Sequence, residues 1–197
     1  MSNTGDLAQL IVAAQGWLHP GWEQGYYPED MPAEWQLGYY ANEFRAVLVA
    51  PAADTAGVET WLDEVDAGFG FCLDLRHAPL ETRILESFKD QLLGVFVSGA
   101  PETVPADVVV FSESHKADIS LPNSRYAQIF DDVRGGGMRL CLYRTNPDLT
   151  LAGLREDIEA VLQGVPPDAS CMMVWCDEPP PVEIMRQAKM IAEFLGA

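Results

Sequence analysis

Three histidines, His19, His77 and His115, make up the imidazole complement of the chain, and each follows closely on a short apolar run. Carboxylates keep them company: Asp74 stands near His77, Glu113 near His115, and Asp177 after the last apolar run. Imidazole and carboxylate side chains gathered in one place would support general acid–base chemistry, so these are the candidate catalytic residues. The same side chains serve as metal ligands, but no HExxH or comparable spacing is present, so neither a metal nor a cofactor is assigned. Trp17, Trp22, Tyr26 and Tyr27 offer a platform on which a sugar, base or cation would stack, or else a hydrophobic plug that closes a barrel rim. Arg76 and Arg144, with Asn146 beside the second, are suited to an anionic ligand or to pairing with local carboxylates. There is no GxGxxG, P-loop or nucleophile elbow, and Gly135-Gly136-Gly137 precedes an apolar run as a turn does.

The elements that must position these groups are legible as short apolar runs alternating with amphipathic stretches. Strands are expected at Leu10 to Gln15, Ala46 to Ala50, Phe69 to Leu75, Leu92 to Ser98, Val108 to Ser112, Met138 to Tyr143 and Cys171 to Asp177, with a weak eighth at Asp118 to Leu121. Most are apolar on consecutive residues, the pattern of parallel strands buried on both faces. Helical spacing appears at Val58, Trp61, Leu62 and Val65 behind Asp54 or Thr55, and at Tyr126, Ile129, Phe130 and Val133 behind Asn123 and Ser124. It appears again at Leu151, Leu154, Ile158, Val161 and Leu162, and at Ile184, Met185, Ala188, Ile191, Ala192 and Leu195 after Pro179 to Pro181. Gly99 to Asp107 reads as a Pro-rich loop where a crossover helix would otherwise stand. Repeated βα units predict one α/β domain over residues 1–197, with every candidate group at the C-terminal end of a strand, where barrel enzymes place their chemistry.

Composition narrows the partners. With 12 Lys and Arg against 30 Asp and Glu, the net charge of -18 repels a phosphate backbone, so nucleic acid is not an expected partner. No apolar run reaches the roughly 18 residues of a membrane span, and the first residues carry no basic signal, which predicts a cytoplasmic protein without a membrane partner. Cys72, Cys141 and Cys171 fall inside apolar runs as small core residues, and Cys171 and Cys176 lack CxxC spacing.

The segment GWLHPGWEQGYYPEDMPAEWQLGYYANEF, from Gly16 to Phe44, resembles the opening of the YecE-like family, also described as domain of unknown function seventy-two. The resemblance is carried by Gly16-Trp17, Trp22, Tyr27-Pro28, Tyr39-Tyr40 and Phe44, then by Trp61 with Phe69 and Phe71, and at the far end by Val174 to Asp177 with Ala188. It implies a small TIM-barrel-like fold of seven or eight mostly parallel strands, complete or incomplete. The chain departs from the family where it carries Val47 to Pro51 after the second strand, Asp74 for a lysine, and Cys176-Asp177 for an asparagine pair. It therefore resembles a divergent, shortened member. Two functions stand open: a non-catalytic module binding a small molecule or protein at the barrel mouth, or an enzyme of hydrolase or isomerase type using the strand-end histidines and carboxylates. A homodimer is expected if shortening leaves a strand edge or an apolar helix face uncovered.

Overall fold

The computed structural model of the chain describes residues 7–50, 55–78, 81–99, 104–135 and 137–197. Asp54 as a helix cap, loop residues 100–103 and Gly136 of the glycine turn lie outside the described residues. One sheet of eight strands, in the order β5-β4-β3-β2-β1-β8-β7-β6, curls into a nearly closed α/β barrel. The strands are β1 Gln9–Gln15, β2 Ala46–Val49, β3 Gly70–Asp74, β4 Leu92–Val97, β5 Val110–Ser112, β6 Ser124–Asp131, β7 Met138–Thr145 and β8 Ser170–Trp175. Among the described residues five α-helices accompany them: α1 Ala33–Ala41, α2 Thr55–Asp63, α3 Thr82–Phe88, α4 Leu151–Leu162 and α5 Val182–Leu195. All strand pairings are parallel except β6 with β7, which run antiparallel.

The pleat sorts the apolar residues into two layers. Leu10, Val12 and Ala14 of β1, Phe71 and Leu73 of β3, and Cys171, Met173 and Trp175 of β8 belong to the cluster that meets the helices. Their alternate neighbours Ala13, Cys72, Met172 and Val174 join Phe96, Phe111, Phe130, Leu140 and Leu142 in a second cluster that fills the barrel interior. Because both faces are buried, the strands read as continuous apolar runs. The expected strands are found with their ends shifted by one or two residues.

Two expectations are corrected. Residues 118–121 form no strand, and the helix read from Tyr126, Ile129, Phe130 and Val133 is instead the eighth strand, β6. Those residues also fit an alternating pattern: Phe130 enters the barrel interior while Ile129 packs outside. Asn123, read as a helix cap, donates instead to the Asp157 carboxylate through its backbone N–H (3.2 Å) and its side-chain amide (3.3 Å). The glycine turn expected before the apolar run connects β6 to β7, with Gly135 and Gly137 both at positive φ. Helix α3 had no counterpart among the helices read from periodicity.

Closure between β5 and β6 combines a few main-chain links with side-chain ones. The Val133 N–H donates to the Val110 carbonyl (2.9 Å), and the buried Asp132 carboxylate accepts from the Val110 N–H (3.0 Å). The Arg134 guanidinium donates to the carbonyls of Val104 (2.7 Å), Val108 (3.0 Å) and Pro105. Further along, Lys116 bridges Phe130 and the Ala117 N–H donates to the Ile129 carbonyl (2.7 Å).

Candidate functional site at the barrel mouth

Continuing each strand by one interior position beyond the apolar layer gives the residues of the C-terminal mouth. Above Ala13 comes Gln15, above Leu48 Ala50, above Cys72 Asp74, above Phe96 Ser98, above Phe111 Glu113, above Leu142 Arg144 and above Val174 Cys176, so Ala50 is the one aliphatic member of this set. β6 runs the other way, so Gln128, two residues before Phe130, takes the corresponding place. A mostly polar layer therefore caps the apolar barrel core.

A cavity of about 540 Å³ opens within this layer, lined by Gln15, Arg76, Arg125, Tyr126, Gln128, Leu142, Arg144 and Cys176. Three of the chain's 12 Lys and Arg are there, and none of its 30 Asp and Glu is. Asp74 and Glu113 of the same layer pair with Arg76, so among the described residues Arg125 and Arg144 carry the unpaired positive charge of the mouth in a protein of net charge -18. A larger cleft of about 690 Å³ lies beside the N-terminal ends of β2 and β3, where Asp63, Glu64 and Asp66 accompany Arg45. Acids make that end hostile to anions.

The three arginines are held differently. Arg76 donates from Nε (2.9 Å) and Nη2 (2.7 Å) to the two oxygens of Asp74, and its Nη1 lies 3.6 Å from Glu113. Its guanidinium also stacks 4.4 Å from the Phe96 ring centre. The hydrogen bonds it donates to Asp74 raise its pKa further, so it is a fixed cation. Arg125 and Arg144 are exposed and form no ion pair among the described residues; Arg144 only approaches the Tyr126 ring, at 5.9 Å. Their donors are uncommitted. Burial pushes the Cys176 thiol up to about 11, against the opposing pull of Arg144 and Arg76, so it stays protonated at neutral pH.

The candidate catalytic residues do not converge. His19 is buried against Trp22 with ring centres 4.4 Å apart, its Nδ1 3.0 Å from Glu178 Oε1 and its Nε2 without a partner among the described residues. His77 and His115 are exposed, the latter with Nδ1 3.1 Å from Ser114 Oγ. Asp74 and Glu113 serve Arg76, and Asp177 accepts from the Thr145 N–H (3.1 Å) and hydroxyl (3.2 Å). Among the described residues no three His, Cys, Asp or Glu side chains gather as a metal site requires.

Of the candidate ligand-binding residues, Arg76 and Arg144 share the cavity. Asn146 accepts from the Asp148 N–H (3.2 Å) in a turn leading to α4 and does not line it. Trp17, Trp22 and Tyr27 are buried in the layer between sheet and helices rather than at the barrel mouth, and they leave no ring face free. Trp22 Nε1 donates to the Pro180 carbonyl (2.8 Å), and the Tyr27 hydroxyl donates to the Trp17 carbonyl (2.6 Å). Cys72, Cys141 and Cys171 are core residues as expected, whereas Cys176 reaches the mouth. Gln15, Arg125, Tyr126 and Gln128 escaped the sequence reading; recognising the hairpin around the triple glycine would have exposed all but Gln15.

Comparison of the chain with protein-family models, with curated proteins and with solved structures found no match.

Proposed function

We propose that the protein is a binding module that captures a small anionic molecule at the mouth of its barrel. The observation that carries this is the cavity of about 540 Å³ with three arginines and no carboxylate in its lining. Its size falls within the roughly 300–1,000 Å³ of small-molecule sites, and its position is the end where barrels build ligand sites. Asp74 and Glu113 restrain Arg76 from outside the lining, which leaves Arg125 and Arg144 to meet the ligand. Gln15 and Gln128 add neutral hydrogen-bonding groups, and the protonated Cys176 thiol a weak donor.

Binding stands ahead of catalysis because no imidazole or carboxylate lines the cavity, so proton transfer to a bound ligand has no obvious agent there. The reading keeps the chain as a divergent YecE-like barrel. Support for that kinship is the way Trp17, Trp22, Tyr27 and Tyr40 fold into one buried cluster, with the Tyr40 hydroxyl bridging β1 and β2. Among the described residues no helix is long and apolar enough to cross a membrane. A cytoplasmic location is part of the proposal, supported by four free cysteines, which suit a reducing compartment.

Isothermal titration calorimetry at low ionic strength, with inorganic phosphate, succinate, benzoate and phenyl phosphate, tests the reading. Saturable binding by at least one is expected, weakened by salt and reduced about 10- to 100-fold when Arg125→Ala and Arg144→Ala are combined. Binding by none of the four, or binding that the double variant retains in full, would overturn it.

A further inference from the structure

The mouth cavity holds a second observation, independent of its charge. β6 and β7 pair Ser124 with Thr145 and then Tyr126 with Arg144, so Arg125 is one extra residue in β6. In a regular strand, neighbours point to opposite faces, and Arg125 and Tyr126 would part company. A bulge relaxes that alternation and re-aims side chains, which lets both residues border the mouth cavity as well as the neighbouring cleft of about 520 Å³ beside Lys116 and Asp118. Local ladder regularity is given up, and a guanidinium and a phenol ring share one wall.

Tyr126 is also unusual among the aromatic side chains of this protein. Trp17, Trp22, Tyr27, Tyr40 and Trp175 are buried; Tyr126 is 44 % exposed, less so than Trp35 (66 %) and Phe194 (94 %), but unlike those two it lines the mouth cavity. Leu142 supplies a further apolar surface in the lining. An inorganic oxyanion would satisfy the arginines but leave the ring and most of the volume uncovered. A flat organic ligand with one anionic group would use both.

Resting on the anion-binding reading of the same cavity, we infer that the ligand is a planar aromatic anion, a carboxylate or phosphate ester on an unsaturated ring. The ring lies against Tyr126 and Leu142, the anionic group engages Arg125 and Arg144, and Gln15 and Gln128 meet heteroatoms on the ring. Tyr126 is then the specificity-determining residue.

Calorimetry on the full chain separates planarity from charge by pairing benzoate with cyclohexanecarboxylate, which matches it in charge and approximate size but is not flat. Phenyl phosphate against inorganic phosphate is the second pair. Aromatic stacking beyond simple burial predicts that benzoate binds about three- to tenfold tighter than its saturated counterpart. Tyr126→Phe keeps that ratio, and Tyr126→Ala brings it to about one. Equal affinities within the benzoate pair on the unaltered protein would overturn the inference while leaving the anion site intact. Failure of every anion to bind in an arginine-dependent way would remove both, and because the decisive ratio is measured on the unaltered protein, the test survives any folding defect in the variants.

Discussion

Two regions of this barrel are built from similar materials and end in opposite states. The loop and helix after β1 collect Trp17, Trp22, Tyr26, Tyr27, Tyr40 and His19; the β6–β7 hairpin offers Tyr126 with Arg125 and Arg144. In the first region rings pack edge to face, Trp22 at 5.0 Å from Tyr26 and Trp17 at 5.0 Å from Trp61, and the polar tips of Trp22, Tyr27 and Tyr40 find main-chain acceptors. In the second, the ring is half open and two guanidiniums keep their donors free. Residue type marks both regions equally. What distinguishes a candidate site is hydrogen-bonding capacity and ring surface that folding has left unused.

That contrast predicts a division of labour between stability and binding. Trp22→Ala removes a large buried ring and its bond to Pro180, and is expected to cost about 3–5 kcal/mol in denaturant unfolding while leaving anion affinity unchanged in the protein that remains folded. The Arg125 and Arg144 double variant should do the reverse, losing affinity while its stability stays within about 0.5 kcal/mol. If Trp22→Ala abolished binding in folded protein, the two regions would not be separable.

Between these extremes lie the groups that hold the hairpin in place. Asp132→Ala strands the Val110 N–H at the β5–β6 closure and is expected to cost about 1–3 kcal/mol in the same unfolding experiment. Asp157 joins α4 to the hairpin by accepting from the Tyr143 hydroxyl (3.0 Å) and from Asn123. Burial raises its carboxyl above the ordinary value, although the hydrogen bonds from Asn123 and Tyr143 pull it down. A carboxyl raised on folding contributes stability that is fully present below its unfolded pKa and is lost as pH rises through its folded pKa. Asp157→Asn cannot titrate, so the unaltered protein should gain on this variant as pH falls into the carboxylate range; denaturant midpoints taken across that range check the sign. Smallest of all, Glu178→Gln removes the exposed partner of His19 and should alter the unfolding midpoint by the equivalent of less than about 0.5 kcal/mol.

Much of the fold was legible because parallel barrel strands are apolar on both faces and stand out as unbroken runs. Seven of them could be placed, and α2, α4 and α5 followed from their stripes. β6 could not, because Tyr126, Ile129, Phe130 and Val133 satisfy a helical period as well as an alternating one, and a solvent-facing hairpin edge lacks the unbroken run. That one misreading hid three of the eight residues that line the cavity: on a helix, Arg125, Tyr126 and Gln128 point in different directions, while on a bulged strand they line one cavity. Arg76 and Arg144 were visible as strand-end cations. The histidines were visible too, but proximity to a strand end says nothing about which way a side chain turns, and His19 turned toward Trp22.

The antiparallel pairing of β6 with β7 also orders the assembly of the molecule in time. Hairpin residues meet across a short turn, whereas pairing Gln9 with Ser170 in β1 and β8 gathers nearly the whole chain. Loop-closure entropy grows with the length enclosed, so the hairpin forms at lower entropic cost than the meeting of β1 with β8. Pulse-labelled amide exchange is therefore expected to protect β6 and β7 before β1 and β8, and simultaneous protection would contradict that order. The arginine-bearing wall would then be in place early, as a nucleus around which the rest of the barrel is wound.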